Sequence, residues 1–278
     1  MRAAGDELAV SHTVVSRHLR NLEEWLGVKL VEPSGRGLVL TREGALYHAK
    51  IGRAFEAIAR ATVELRPTAR QALSIWCFPG LANRRLLAHL PELESLLPDW
   101  EITLHPTLAR SDLVRGEADA EVVYLDDVAS TDRVRAELLA RPRVFPVASP
   151  TFLARYTKGE TLRDLLRLPL IHEESTDQWS RWLQLAGIDV PQALNGPRLW
   201  HAHLAIEAAR LGQGVALANE MLVDEDLRTG ALVEVVPSDL RLCGYYLLAA
   251  VARWNEPAMR ALRAWLHGLS HPGDSGRF

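Results

Sequence analysis

The first residues with a chemical pattern form a short polar and basic run near the start of the chain. The run consists of Ser11, His12, Thr13, Ser16, Arg17 and Arg20. At helical spacing these side chains share one face, where hydroxyl and guanidinium groups can donate to phosphate oxygens and to base edges. An Arg side chain can also pair with O6 and N7 of guanine. The pattern therefore indicates recognition of nucleic acid.

A helix over Thr13–Leu26 is predicted to position this run. Apolar residues recur on its other face at steps of three and four, namely Val15, Leu19, Leu22 and Leu26. Ser11 is a good N-cap and Gly27 a good C′ residue. A shorter helical pattern covers residues 2–9, so the two helices and their turn predict a helix-turn-helix whose second helix enters the major groove. The alternative is an amphipathic hairpin with a solvated basic face.

The segment "VKLVEPSGRGLVLTREG" predicts a strand, a glycine-rich tip, a second strand and a Thr-capped helix. Arg36 lies at the tip, where it could reach a phosphate or the minor groove. This hairpin would be the wing of a winged helix-turn-helix.

The stretch "ELAVSHTVVSRHLRNLEEWLGVKLVEPSGRGLVLTREG" resembles the N-terminal signature of the LysR-type transcriptional regulators, and its wing resembles the branch with the glycine-cleavage activator and the β-lactamase regulator. The matching positions are Val15-Ser16-Arg17, Leu22-Glu23, Leu26-Gly27, Leu30, Leu40-Thr41 and Gly44. The resemblance implies DNA contacts from His12, Thr13, Ser16, Arg17 and Arg36. The sequence departs from the family signature at His12 (usually Gln), at Val14 (usually Ala) and at Val31-Glu32-Pro33.

The resemblance also implies a further helix ahead of Met1, because Arg2-Ala3-Ala4 corresponds to the middle of the family's second helix. Without that helix, Leu8, Val15 and Leu19 would lose a packing partner. We therefore expect weak DNA binding by the chain as written. The alternative function is an N-terminally truncated effector sensor that acts through heterodimers.

A long amphipathic helix is predicted from Arg42 to Arg66, and Pro67 stops it. Its apolar stripe, at Leu46, Ile51, Phe55, Ile58, Thr62 and Leu65, is narrow and suits pairing with a second copy. In the family this helix dimerises the protein, so we expect a homodimer or homotetramer. The alternative is a helix that lies on its own domain.

Strands and helices alternate after Pro67 and predict α/β architecture. The first set is read as βαβαβ, with a helix around Ser111–Arg115, and hence as a parallel sheet. A second set follows from residue 141, a late strand at residues 243–252 returns to the first set, and a helix closes the domain. The resemblance implies a periplasmic-binding-protein-like effector region of two Rossmann-like subdomains. The expected domains are 1–41 (winged helix-turn-helix), 42–67 (linker helix), 68–270 (effector-binding) and 271–278 (disordered tail).

Ligands of open α/β sheets bind beyond the carboxyl ends of strands, which here means the cleft between the subdomains. The residues expected to bind an effector there are Cys77, Phe78, Pro79, Gly80, Thr107, Ser175, Thr176, Trp200 and His201. Trp200, His201 and Thr107 suggest a small aromatic or anionic molecule. The alternative is that the polar residues merely cap helices.

Composition and the absence of certain motifs limit the classes of function that the sequence predicts. Residues 1–70 carry 11 Lys/Arg against 8 Asp/Glu, and the remainder carries 21 against 27, so a basic head precedes an acidic body. The absence of a signal sequence or membrane span and the presence of only two cysteines predict a cytoplasmic protein with no membrane partner. There is no glycine-rich phosphate loop, CxxC or HExxH, and His201 and His203 would face apart on a helix. We expect no cofactor, no metal and no enzymatic activity; the remote alternative is an α/β enzyme that uses Cys77 as a nucleophile.

Overall fold

A computed structural model describes residues 11–34, 37–64, 71–155 and 162–270. The chain divides into two compact units, Met1–Ala69 and Arg70–Phe278. Among the described residues, no helix is long and apolar enough to cross a membrane. The expected helix over residues 2–9, Arg36, Leu65 to Pro67 and the tail 271–278 lie outside the described residues.

The first unit contains the predicted helix, hairpin and long helix. Helix α1 (His12–Leu26) follows Ser11, whose Oγ accepts a hydrogen bond from the Val14 N–H, and it ends at Gly27 with φ 72°. Strands β1 (Val31–Ser34) and β2 (Gly37–Leu40) pair antiparallel, with Val31 opposite Leu40 and Ser34 opposite Gly37. Helix α2 spans Arg42–Glu64. The predictions of the capped helix and of the wing strands are confirmed.

The second unit holds two mixed sheets. The first has the order β4-β3-β5-β11-β6 and consists of β3 (Gln71–Cys77), β4 (Trp100–Pro106), β5 (Ala120–Leu125), β6 (Val134–Ala140) and β11 (Gly244–Ala250). The second has the order β10-β7-β9-β8 and consists of β7 (Val144–Ala148), β8 (Leu170–Ile171), β9 (Val215–Asn219) and β10 (Val233–Glu234). We call the two halves built on these sheets subdomain I and subdomain II.

Helices cover both sheets. Helix α3 (Pro79–Leu81) continues through a π-helical turn (Ala82–Leu86) into α4 (Leu87–Leu96). The others are α5 (Pro150–Leu153), α6 (Leu162–Leu165), α7 (Asp177–Leu185), α8 (Ala202–Arg210), α9 (Glu220–Thr229) and α10 (Pro257–Leu269), with a short 3-10 turn at Val251–Arg253. In α7 the amphipathic pattern buries Trp179 and Trp182, whose indole N–H groups donate to the carbonyls of Ile171 and Val144.

The prediction of a helix around Ser111–Arg115 is wrong. This segment forms a turn, because the Asp112 carboxylate accepts the Arg115 N–H at 3.0 Å and Gly116 reverses the backbone with φ 74°. The Glu117 carboxylate accepts the Asp112 N–H at 2.8 Å, which closes the turn.

The prediction of a parallel first sheet holds for only part of it. Strand β3 pairs parallel with β4 and β5, but β11 pairs antiparallel with β5 and β6. The return of the late strand to the first set is confirmed. Strand β6 was not predicted, although Arg135 and Glu137 alternate with apolar residues over Val134–Leu138, which is the pattern of a half-buried strand.

Candidate functional site

Helix α1 presents the candidate DNA-contacting residues on its solvent side. Thr13, Arg17 and Arg20 are exposed and Ser16 is half-buried, while Ser11 caps the helix. The side chain of His12 lies outside the described residues, and so does Arg36 at the tip of the wing. The apolar stripe of α1 is half-buried on the opposite side.

A buried carboxylate joins α1 to the wing. Glu23 accepts hydrogen bonds from the backbone N–H groups of Leu30 and Val31 at 2.8 and 3.2 Å and from the Lys29 ammonium at 2.8 Å. The bond from Lys29 and the bonds from the two amides hold the pKa of Glu23 below its ordinary value. The negative charge of Glu23 therefore fixes the start of β1 against the recognition helix.

Thr41 and Gly44 fix the second strand of the wing at the base of the hairpin, where Leu40 pairs with Val31. The Thr41 hydroxyl donates to the Lys29 carbonyl at 2.7 Å and accepts the Gly44 N–H at 2.9 Å, as an N-cap of α2. The Thr41 N–H donates to the Leu30 carbonyl at 2.9 Å. A Cβ at Gly44 would lie 2.8 Å from the carbonyl carbon of Leu30 and closer still to its oxygen, so α2 can start here only with glycine at this position.

Helix α2 leaves large apolar side chains in solvent. Phe55 is 66% exposed, Ile58 61% and Leu46 59%, and Ile51 lies on the same stripe. Exposure of this many large apolar side chains along one helix is typical of a surface that another protein covers.

In the second unit, a cleft with a volume of about 120 Å³ lies between the two subdomains. Five of the predicted effector residues line it together: Phe78, Pro79, Gly80, Trp200 and His201. Gly80 allows α3 of subdomain I to approach α8 of subdomain II, since a Cβ there would lie 3.1 Å from the Ala202 Cβ. The starts of two helices from different subdomains therefore meet at the cleft.

The other four predicted effector residues lie elsewhere. Cys77 and Thr107 line an adjacent cavity of about 230 Å³, which shares Phe78 and Leu108 with the cleft. Ser175 and Thr176 precede α7 and are not among the residues that line the cleft; the Ser175 hydroxyl accepts the Asp177 N–H at 3.1 Å. Ser175 thus behaves as a local turn residue.

Sequence reasoning missed most of the polar lining of the cleft, namely Tyr124, Glu173, Glu174, Gln178, Asn219 and Tyr245. Tyr124 and Asn219 lie at the ends of β5 and β9, where the strand-end rule could have found them. Tyr245 lies at the start of β11, and only the antiparallel register, which sets it opposite Tyr124, brings it to this edge. Their rings lie 4.7 Å apart between centroids.

Several polar groups of the cleft, those of Glu173, Tyr124, Tyr245 and Asn219, are poorly solvated. Burial raises the pKa of Glu173 to about 7, against an opposing hydrogen bond from Gln178, and it also raises the pKa values of Tyr124 and Tyr245. The Asn219 side chain is only 7% exposed, and its Nδ2 donates to the Tyr245 hydroxyl at 2.9 Å. Its Oδ1 is buried without a hydrogen-bond partner.

Trp200 is held at the mouth of the cleft by a strained turn. It has φ 62° and is the only non-glycine residue with positive φ within the described part of the chain. The His201 N–H donates to the Leu199 carbonyl at 2.7 Å, so Trp200 is the central residue of a γ-turn. Strain of this kind in a bulky residue costs energy, and it is most often found at functional sites.

Ion pairs join the subdomains on two sides of the unit. Asp126, after β5, contacts Arg181 of α7 at 2.6 Å, and this contact lowers the pKa of Asp126. Arg84 in the π-helical turn pairs with Asp226 of α9, and the neighbouring Arg85 pairs with Asp224. Any change in the angle between the subdomains must therefore rearrange charged contacts.

The geometry gives no support to thiol or metal chemistry. Burial raises the pKa of Cys77 to about 12 and that of Cys243 to about 11, so both are thiols at neutral pH. Within the described ranges, no group of three His, Cys, Asp or Glu side chains could hold a metal ion. The expectation that His201 and His203 face apart is wrong: His201 is the extended N-cap of α8, which lets the two rings stack at 5.5 Å.

Comparison with family models gives two matches. Residues 1–45 match the bacterial regulatory helix-turn-helix protein, lysR family, and residues 67–270 match the LysR substrate binding domain. The second match alone covers more than half of the chain.

Whole-chain relatives and solved structures agree with these matches. The chain is 34% identical over 271 residues to the HTH-type transcriptional regulator TrpI of Pseudomonas aeruginosa, covering 95% of this chain and 90% of that protein. It is 29% identical over 268 residues to the glycine cleavage system transcriptional activator of Escherichia coli K12, covering 95% and 86%. The structure of CrgA, a LysR-type transcriptional regulator from Neisseria meningitidis, shares the fold, with a TM-score of 0.62, 20% identity and coverage of 97% and 94%.

Proposed function

The chain belongs to the LysR family of transcriptional regulators, and from this premise we propose that it binds promoter DNA through α1 and the wing, under the control of a small molecule bound in the cleft. The observation that carries the proposal is the exposed face of α1, with Thr13, Arg17 and Arg20 free to meet DNA. Glu23 fixes the wing beside this face. We place this action in the cytoplasm, where promoter DNA is found.

The exposed side chains of α1 suit different contacts with DNA. Arg17 is exposed in the second turn of the helix and can reach O6 and N7 of a guanine. Thr13 and Arg20 flank it along the same face, where they can donate to phosphates and set the register of the helix.

We infer that a second copy covers the exposed apolar stripe of α2. Each large apolar side chain buried there contributes about 1.5–3 kcal/mol, and the stripe repeats at helical spacing. A dimer holds two recognition helices, and two helices read two half-sites on the DNA.

Effector control requires that the ligand bind one arrangement of the protein more tightly than another. The cleft lies between subdomains that are joined by the Asp126–Arg181 and Arg84–Asp226 pairs. A ligand that contacts Phe78 in subdomain I and Asn219 in subdomain II would change the balance of these contacts. The resulting shift in subdomain angle is the proposed signal to the DNA-binding head.

The test is a DNA-binding measurement on the full-length chain. A random duplex library is first used to select the preferred site, and affinities are then measured by fluorescence anisotropy at fixed salt. Loss of one two-pronged arginine–guanine contact costs about 1–3 kcal/mol, so Arg17→Ala should weaken specific binding about 5- to 150-fold. Arg115→Ala, which removes an exposed arginine from the second unit, is the matched control and should leave affinity unchanged.

Equal affinities of wild type and Arg17→Ala for a selected site would contradict the proposed role of α1. Failure to select any sequence above background would contradict specific DNA binding by this chain. The measurement also tests the alternative of a sensor without DNA binding of its own, which predicts no selected site.

A further inference from the structure

The charges of the cleft do not favour an anion, which is one of the two kinds of ligand, aromatic or anionic, that the sequence suggests. Two carboxyl groups line it, those of Glu173 and Glu174. Among the described residues that line the cleft there is no lysine or arginine. A phosphate or dicarboxylate placed there would meet negative charge with no basic side chain to offset it.

Aromatic rings make up much of the remaining wall. Phe78, Tyr124, Trp200 and Tyr245 line the cleft, and the two tyrosine rings are tilted by 40° at 4.7 Å. Aromatic faces attract cations, tryptophan most strongly, and several rings around one space form a cage for ammonium groups. Trp200 is kept at the mouth despite the cost of its positive φ.

One buried acceptor lacks a donor. Asn219 is more than nine-tenths buried, and its Oδ1 has no hydrogen-bond partner, while its Nδ2 is occupied by the Tyr245 hydroxyl. A buried acceptor without a hydrogen bond is costly, and a ligand that supplies an N–H group would satisfy it. This favours a primary ammonium over a quaternary one, which carries no N–H.

We propose that the cleft binds a ligand with a primary ammonium group on a small apolar body, the ammonium donating to the Asn219 Oδ1 and the Glu173 carboxylate inside the aromatic cage. The apolar body would contact Leu108, Leu217 and Leu222. This inference rests on the proposed function, because it specifies the effector class of that same cleft. Simple amines and amino acids share this chemistry, and the test separates them.

The raised pKa of Glu173 gives the proposal a pH signature. The carboxyl is half neutral near pH 7, so below that value ammonium binding must expel a proton from it. Affinity for the amine should therefore fall as pH drops from 8 to 6, approaching about tenfold per unit at the low end. Other groups that face this space are Glu174, His201, Tyr124 and Tyr245, with Gln178 as a neutral donor.

The experiment is calorimetric titration of the full-length chain with four probes. 3-Methylbutylamine, its N,N,N-trimethyl derivative, 4-methylpentanoate and L-leucine share one branched apolar body and differ only in the head group. We expect the primary amine or leucine to bind at least about tenfold more tightly than the quaternary and carboxylate probes, since a charge-assisted hydrogen bond is lost in both. If leucine binds more tightly than the amine, the ligand is an amino acid; if the amine binds more tightly, the ligand is a simple amine.

Two variants localise the effect. Glu173→Gln should weaken binding of the favoured probe at least about tenfold and abolish its pH dependence between 6 and 8, because the titrating carboxyl is gone. Glu94→Gln makes the same change at an exposed residue of α4 that is not among the residues lining the cleft, and it should change affinity less than about threefold.

The proposal is overturned if 4-methylpentanoate binds most tightly, if no ammonium probe binds, or if Glu173→Gln leaves the affinity and its pH dependence unchanged. Specific DNA affinity is measured on the same preparations. If DNA binding still depends on Arg17 but no amine binds, only the proposed ligand class is wrong. If the chain shows no specific DNA binding, the proposed function itself is wrong.

Discussion

The substitution Gly44→Ala tests the packing that fixes the wing to α2. A Cβ at residue 44 would lie 2.8 Å from the Leu30 carbonyl carbon, whereas carbon atoms at rest lie about 3.5–4.0 Å apart. The start of α2 must therefore move by roughly 0.7 Å or more relative to the end of the Lys29–Leu30 segment. That movement strains two bonds, from the Thr41 N–H to the Leu30 carbonyl and from the Gly44 N–H to the Thr41 hydroxyl, each 2.9 Å long.

The expected cost follows from these contacts. Overpacking costs about 1–3 kcal/mol and a weakened N-cap about 1 kcal/mol, offset by about 1 kcal/mol from the better helix propensity of alanine. The net destabilisation of the head is then about 1–3 kcal/mol. Gly52→Ala, on the same helix with no atom within 4 Å of the added Cβ, should instead stabilise the head by about 0.5–1 kcal/mol.

Hydrogen exchange of the peptide spanning residues 28–45, followed by mass spectrometry on the full-length chain, measures the difference. In the Gly44→Ala variant, the first unit should open locally about 5- to 150-fold more often than in wild type, and in the Gly52→Ala variant it should open less often. Specific DNA affinity should fall in the first variant only. Equal protection in the two variants would refute the close approach of α2 to Leu30.

Three further changes test other contacts. Phe55→Asp should raise the dimer dissociation constant at least about 100-fold in sedimentation equilibrium, because each protomer loses about 1.5–3 kcal/mol of apolar burial; an unchanged constant would place the interface elsewhere. Trp200→Asn should raise the free energy of unfolding, measured in urea, by about 1 kcal/mol, because Asn tolerates a positive φ better than Trp. The same variant should bind amines more weakly, and a loss of stability would argue against strain at residue 200. Glu23→Gln should lower stability at pH 7, and its difference from wild type should shrink as pH falls below 4.5, the ordinary pKa of the carboxyl, because the lowered pKa of Glu23 stabilises the fold only while the group is ionised; a constant difference would show that its charge does not act.

Local signals explain how much of the fold could be predicted from the sequence. Ser11, Gly27 and Thr41 mark element ends through their own backbone and side-chain chemistry, so the helix and wing limits followed from short windows. Strand β6 was missed although its sequence alternates apolar and charged residues. The turn at Asp112 was missed because it depends on local side-chain bonds, from the Arg115 N–H to Asp112 and from the Asp112 N–H to Glu117.

The cleft shows the same limit. Phe78, Pro79 and Gly80 follow a parallel strand and could be predicted from the strand-end rule. Tyr245 could not, because it begins an antiparallel strand and reaches the cleft only through its register with Tyr124. The charge balance of the lining likewise depends on which residues of "IHEEST" turn inward, and Glu173 does so while Ser175 does not.

Replacing single guanines of the selected site by 7-deazaguanine tests whether Arg17, on the exposed face of α1, binds a guanine. The replacement removes the N7 acceptor and leaves base pairing intact. We expect a guanine in each half-site whose replacement weakens DNA binding by wild type about tenfold and leaves DNA binding by Arg17→Ala unchanged. Equal losses for both proteins at every guanine would contradict it.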